Sequence, residues 1–143
     1  MALRCGGMAI RSALVAVSAV QLAAGLAGQV VALRRRRHYD VPFMTGSPQH
    51  VGRDSWWFGT AYSAPSYMLA TQAWAIARLL RSPDERARQA LRLLGTGMVS
   101  GYLSERWNRV LLTPRGRDPV ETPIVVVGLA GSVAMALLAR PLR

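Results

Sequence analysis

The sequence predicts an all-α, polytopic membrane protein, a four-transmembrane-helix bundle with short connections that forms one domain over residues 1–143. Three observations carry that expectation. Ser12 to Leu33 runs for 22 residues without a charge and Ser55 to Ala77 for 23, each enough for the roughly 20 residues that a helix needs to span a bilayer. Hydrophobic residues make up 51% of a chain of only 143 residues, which is too small to bury two such runs in a soluble core. The charge, finally, sits beside the apolar runs rather than within them, where long side chains can snorkel to the headgroups.

Helix one is expected near 10–33, with Gln21 and Gln29 sharing a broad face with Gly25 and Gly28, an arrangement that glues helices together in lipid. Arg4 and Arg11 before the run, and small residues at Gly25 and Ala27, leave a cleaved signal sequence as the alternative. Helix two is expected near 56–80, capped by Asp54 or Ser55, with Trp56 and Trp57 in an interfacial aromatic belt and Pro65 as a kink. Thr60, Ser63, Tyr67 and Thr71 would share one of its faces. In the connection that follows, Ser82 reads as an N-cap, Pro83 as the first helical residue, and Asp84 and Glu85 as first-turn acids.

Helix three, near 88–112, is stopped by Pro114. Its uncharged core is only the 12 residues from Leu93 to Ser104. Gly97, Gly101, Glu105, Asn108 and Leu112 fall on one stripe of a continuous helix. Gly97 and Gly101 make a GxxxG pair, the small-residue surface by which helices approach closely in a membrane, so Glu105 and Asn108 should project into the bundle. A carboxylate there needs a partner, and Arg109 at i+4 or Arg106 offers one. Helix four, near 123–140, opens at Pro123 and has Gly128 and Ser132 as small packing residues.

All 18 basic residues are arginine, and the formal net charge is +11. Arginine without lysine is typical of GC-rich coding, so the expected location is a bacterial plasma membrane. A basic chain can signal nucleic-acid binding, but these arginines flank apolar runs, so the expected partners are anionic membrane lipids, with a further copy or a larger membrane complex as the protein partner and no nucleic acid. The candidate ligand-binding set is Arg34, Arg35, Arg36, Arg37, Arg53, Thr60, Ser63, Tyr67, Arg106, Asn108 and Arg109.

Four helices put residues 34–55 and 105–121 at one face. The arginines divide nine and nine between the two faces, so their count leaves orientation open; the Arg34 to Arg37 cluster tips the first face towards the cytoplasm. Asp40, Asp54, Glu105, Asp118 and Glu121, with His38 and His50, all fall on that face, whichever way the protein inserts. There, His50 and Asp54 are one helical turn apart, a spacing that can position an acid–base histidine. No third ligand is assigned, so no metal is predicted, and the lone Cys5 supplies neither a disulfide nor a cluster.

No nucleotide, hydrolase, zinc-protease or thiol–disulfide motif selects a reaction or a cofactor. Two functions remain. The first is a lipid-binding or partner-binding accessory or scaffold protein acting through the face formed by residues 34–55 and 105–121. The second is an intramembrane enzyme acting on a lipid or isoprenoid, with Glu105 as acid or base assisted by His50 or Asp54, in a pocket lined by Thr60, Ser63, Tyr67, Glu105 and Arg109.

Overall fold

A computed structural model describes residues 2–141, with side chains from Gly6 onward; Arg143 and the side chains of Arg4 and Cys5 lie outside the described residues. The protein is all-α apart from one small hairpin. The elements are α1 (Ala2–Arg35), β1 (Asp40–Val41), β2 (Met44–Thr45), α2 (Val51–Trp57), α3 (Ser66–Arg81), α4 (Glu85–Ser104), α5 (Arg106–Leu111) and α6 (Glu121–Leu138). The four long helices form a ring in which α1 packs on α3 and α6, and α4 packs on the same two. Sequential long helices are therefore neighbours and run antiparallel; only the α3–α4 turn is short, while the other two connections carry the hairpin, α2 and α5.

Helix α1 ends inside the arginine run. Arg36 takes a left-handed conformation (φ 53°), which lets the Arg37 N–H donate back to the Ala32 carbonyl at 2.8 Å, the wrap that closes many helices and usually uses glycine. The chain then forms the β1–β2 hairpin, with Asp40 opposite Thr45 and Val41 opposite Met44. Pro42 and Phe43 make its two-residue turn, where the fixed φ of proline is an advantage.

Two expected helices are broken. The stretch 56–80 divides into α2 and α3 because Gly59 adopts φ 88° and Pro65 occupies the N-cap position of α3; proline starts this helix instead of kinking it. Asp54 and Ser55 consequently lie inside α2 and cap nothing. The stretch 88–112 divides at Glu105, whose extended ψ of 122° ends α4 and whose side chain caps α5 by accepting from the Trp107 N–H. In the α3–α4 turn the cap is Asp84, which accepts from the Ala87 N–H at 3.1 Å, rather than Ser82. Asp118 receives the Val120 and Glu121 N–H groups at 2.8 Å and so satisfies the donors that α6 leaves open at its start.

Polar side chains lie at the centre of the ring. Gln21 of α1 donates to Ser132 of α6 at 3.2 Å, and Gln72 of α3 donates to Gln21 at 2.7 Å and to the Ser18 carbonyl at 2.9 Å. All four of these residues are buried. Outward, by contrast, α1 exposes Val20, Leu26 and Val30, α3 exposes Trp74, α4 exposes Leu93, and α6 exposes Val126 and Val133. Helices α1 and α6 each contain a span of mean hydropathy 1.8, at Gly6–Arg35 and Glu121–Leu138, long and apolar enough to cross a membrane.

The expected GxxxG seam is not a helix contact. A Cβ on Gly101 would meet nothing within 4 Å, and one on Gly97 only the tip of Met68 at 3.9 Å. The buried stripe of α4 is Ala87, Leu91, Gly95, Met98 and Tyr102, and Gly95 provides the close approach: a Cβ there would lie 2.8 Å from the Ala136 nitrogen and the Ser132 oxygen of α6. Gly128 and Ser132 do pack as expected, Gly128 against the Tyr102 ring and Ser132 within the glutamine network.

Candidate functional site at the cap of the bundle

The segments 36–65 and 105–120 gather at one end of the ring and form a cap. Its electrostatic centre is Glu121, with a side chain only 3% exposed. One carboxylate oxygen accepts from Arg35 at 2.9 Å and Arg37 at 3.4 Å, and the other from the Tyr62 hydroxyl at 2.8 Å. Arg35 also reaches Asp118 at 3.1 Å. Burial, and then the bond to Glu121, push the Tyr62 hydroxyl up and keep it protonated. The Arg37 guanidinium lies 4.6 Å from the centre of the Trp107 ring, a cation–π contact.

The left-handed turn at Arg36 thus splits the arginine run. Arg34 and Arg36 remain exposed, whereas Arg35 and Arg37 are committed to Glu121, which removes them from the set available to a ligand. Arg53 pairs with Asp54 at 3.2 Å and Arg106 approaches Asp40 at 3.6 Å. Arg109, expected beside Glu105, is exposed on α5 because the break in the helix turns it away.

Glu105 is 4% exposed and is held by backbone. The Asp40 N–H donates to both of its carboxylate oxygens at 3.0 Å, and the Trp107 N–H to one of them at 3.4 Å. Neither Arg106 nor Arg109 forms a salt bridge with it. Burial pushes its carboxyl up to about 7, against the lowering effect of the Asp40 and Trp107 N–H groups.

Glu105 lines a cleft of about 250 Å³ between α3, α4 and the hairpin. Thr60 and Ser63, of the set read from the sequence, line it together with Asn108, Gly97 and Gly101, and its remaining wall is mainly apolar, including Phe43, Met68 and Met98. Thr60 and Asn108 are 6% and 2% exposed, and the Thr60 hydroxyl and the Asn108 carbonyl oxygen have no hydrogen-bond partner within the protein. Tyr67 and Arg109 do not line the cleft. The catalytic trio is not assembled: His50, exposed, is the N-cap residue of α2 and Asp54, buried, lies within it, linked by the backbone bond from the Asp54 N–H to the His50 carbonyl at 2.8 Å, and neither borders the cleft. Among the described residues no group of three or more His, Cys, Asp or Glu side chains could hold a metal ion.

Glu121, Tyr62 and the Gln21–Gln72 pair escape a reading by motif. Their only sequence signal is that helix parity brings the charged residues to one face and that glutamine interrupts two apolar runs. Comparison with protein-family models, curated proteins and solved structures gives no match.

Proposed function

We propose that the chain is a small, four-span protein of a bacterial plasma membrane that serves as a lipid-binding accessory, with its cap at the headgroup level. The observation that carries this reading is the apolar exterior: a hydrogen-bonded cluster of Gln21, Gln72, Ser18 and Ser132 lies among buried leucine, alanine and methionine, while valine, leucine and tryptophan also face outward. In lipid the core polar groups hold helices together and the outer apolar groups need no partner; in water both choices are costly.

Helices α3 and α4 lack the length or hydropathy of α1 and α6. They nevertheless pack alongside them, and Ser66–Ala77 and Leu93–Ser104 are free of charge. Twelve residues cover about 18 Å, and Arg78, Arg81, Arg88 and Arg92 at the opposite end can snorkel to extend that span. On the cap, Trp56, Trp57 and Phe58 are exposed at 65%, 70% and 54%, an aromatic platform suited to the interface. Arg34, Arg36 and Arg109 are also exposed and supply cations for anionic headgroups.

The test is the fate of the protein in membranes. It should resist alkaline carbonate extraction, and reporters fused at the two termini should lie on the same side, with a cysteine at exposed Gln49, on a Cys5→Ser background, labelled only after lysis if the cap is cytoplasmic. Extraction into the soluble fraction, or termini on opposite sides, would defeat the four-span reading. Labelling in intact cells would invert the orientation alone.

The raised carboxyl of Glu105 beside a cleft supports a second reading, an enzyme that moves a proton on a lipid or isoprenoid. Membranes carrying the protein should then introduce deuterium from heavy water into carbon positions of an isoprenoid, and Glu105→Gln should stop it. Equal incorporation by both proteins would exclude this role.

A further inference from the structure

The GxxxG pair that packs against no helix has a different use. Without side chains, Gly97 and Gly101 leave a strip of α4 backbone open along the cleft, and the cleft continues from this apolar strip to a polar end. That end holds three unspent acceptors. Asn108 and Thr60 each carry a buried oxygen without a partner, a costly state unless something satisfies it. The Glu105 carboxylate has about four lone-pair positions and accepts two backbone donors, so its acceptor capacity is not exhausted.

The charge of the surroundings selects the head group. An anion would meet the Glu105 carboxylate at close range. A cation would find one carboxylate in the lining, Glu105, already held by two backbone N–H donors, and no second counter-charge against a mainly apolar wall. A neutral donor avoids both. The cleft is smaller than the roughly 300 Å³ from which sites for drug-sized ligands begin, which fits one chain rather than a two-chain phospholipid.

We propose that this cleft binds a long-chain alcohol, its hydroxyl donating to Glu105 and accepting from the Thr60 hydroxyl beside the Asn108 side-chain oxygen, and its chain lying along the bare backbone of Gly97 and Gly101. The inference rests on the membrane reading above and names the ligand class of that same cap.

The experiment uses the full chain in nanodiscs at about pH 8, where both Glu105 and a fatty acid are ionised. A dodecanol bearing a diazirine in its chain is photolysed, and the crosslinked peptides are mapped by mass spectrometry. Crosslinks should concentrate on the 97–105 segment and around Met68, and plain dodecanol should compete at least about tenfold better than dodecanoate, a difference of about 1.4 kcal/mol. Gly101→Leu places a side chain in the open space and improves the helix, so it should melt no lower than the parent protein yet lose these crosslinks. Glu105→Gln should narrow the preference for dodecanol over dodecanoate. Crosslinks spread equally over α1 and α6 in both proteins, or equal competition by dodecanoate, would overturn the proposal while leaving the carbonate and reporter results untouched.

Discussion

Arg36 and Glu105 each sit where the sequence run suggests a different role. In the run Arg34 to Arg37 the four residues look equivalent, but Arg36 alone has φ 53° and so carries the strain of a left-handed non-glycine residue. Its side chain is exposed. Arg36→Gly should therefore raise stability by about 1 kcal/mol, read as a higher melting temperature, and a lower one would mean that the side chain contributes something the turn does not reveal. Glu105 carries the opposite kind of tension, a carboxyl raised from 4.5 to about 7 by burial. The fold binds its proton more tightly than the unfolded chain, so this group's stabilising contribution is full below about pH 4.5 and is lost as pH rises through about 7. The melting temperature of the parent protein should fall more between pH 5 and pH 8 than that of Glu105→Gln, in which this titration is absent. Parallel pH profiles would show that the carboxylate is ionised throughout.

At the scale of elements, the outcome divides by what hydropathy can and cannot detect. The uncharged runs 12–33 and 122–139 identify α1 and α6, because length and composition alone make those helices. The run 55–77 is equally free of charge and is not one helix, since the break depends on the φ of Gly59 and on Pro65, which a count of uncharged residues does not register. Helix α4 teaches the same lesson through its stripe: spacing of 97, 101, 105 and 108 describes one face only if the helix is continuous, and Glu105 ends it. The correct contact, Gly95 on α6, is two residues from the motif. The two glycines provide a sharp comparison. Gly95→Ala would drive a Cβ to 2.8 Å from backbone atoms of α6 and should cost about 2 kcal/mol, in the range of overpacked cores. Gly101→Ala meets open space and should gain about 0.5–1 kcal/mol from helix propensity. Similar losses at both positions, measured by thermal melts in detergent, would restore the GxxxG seam.

For the whole molecule, helix parity needs only the number of long helices, and it brings Asp40, Glu105, Asp118 and Glu121 to one end without reference to any contact. Parity does not supply pairings. Arg35 and Arg37 reach Glu121 across 86 and 84 positions, a separation at which a single sequence has no local pattern to offer, so Glu121 and Tyr62 remained undistinguished among the charged and aromatic residues of that face. The cleft was legible in part for the same reason. Thr60, Ser63 and Glu105 do line it, while Tyr67 and Arg109 belong to it only if the helices run on past their actual breaks, and Asn108 enters it through the break at Glu105.

The Glu121 junction also bears on the order in which the protein is made. If the helices span a membrane as proposed, Arg35 and Arg37 emerge with the first helix and their counter-charge with the last, so α1 would choose its sidedness before Asp118 and Glu121 are made. Neutralisation comes only after that choice is complete. A nascent chain ending at Leu111, which lacks Asp118 and Glu121, should consequently place Gln49 on the same side as the finished protein, as read by labelling of a cysteine at that position. Reversed or mixed sidedness in the shorter chain would mean that α6 helps to set the topology instead of locking one already chosen.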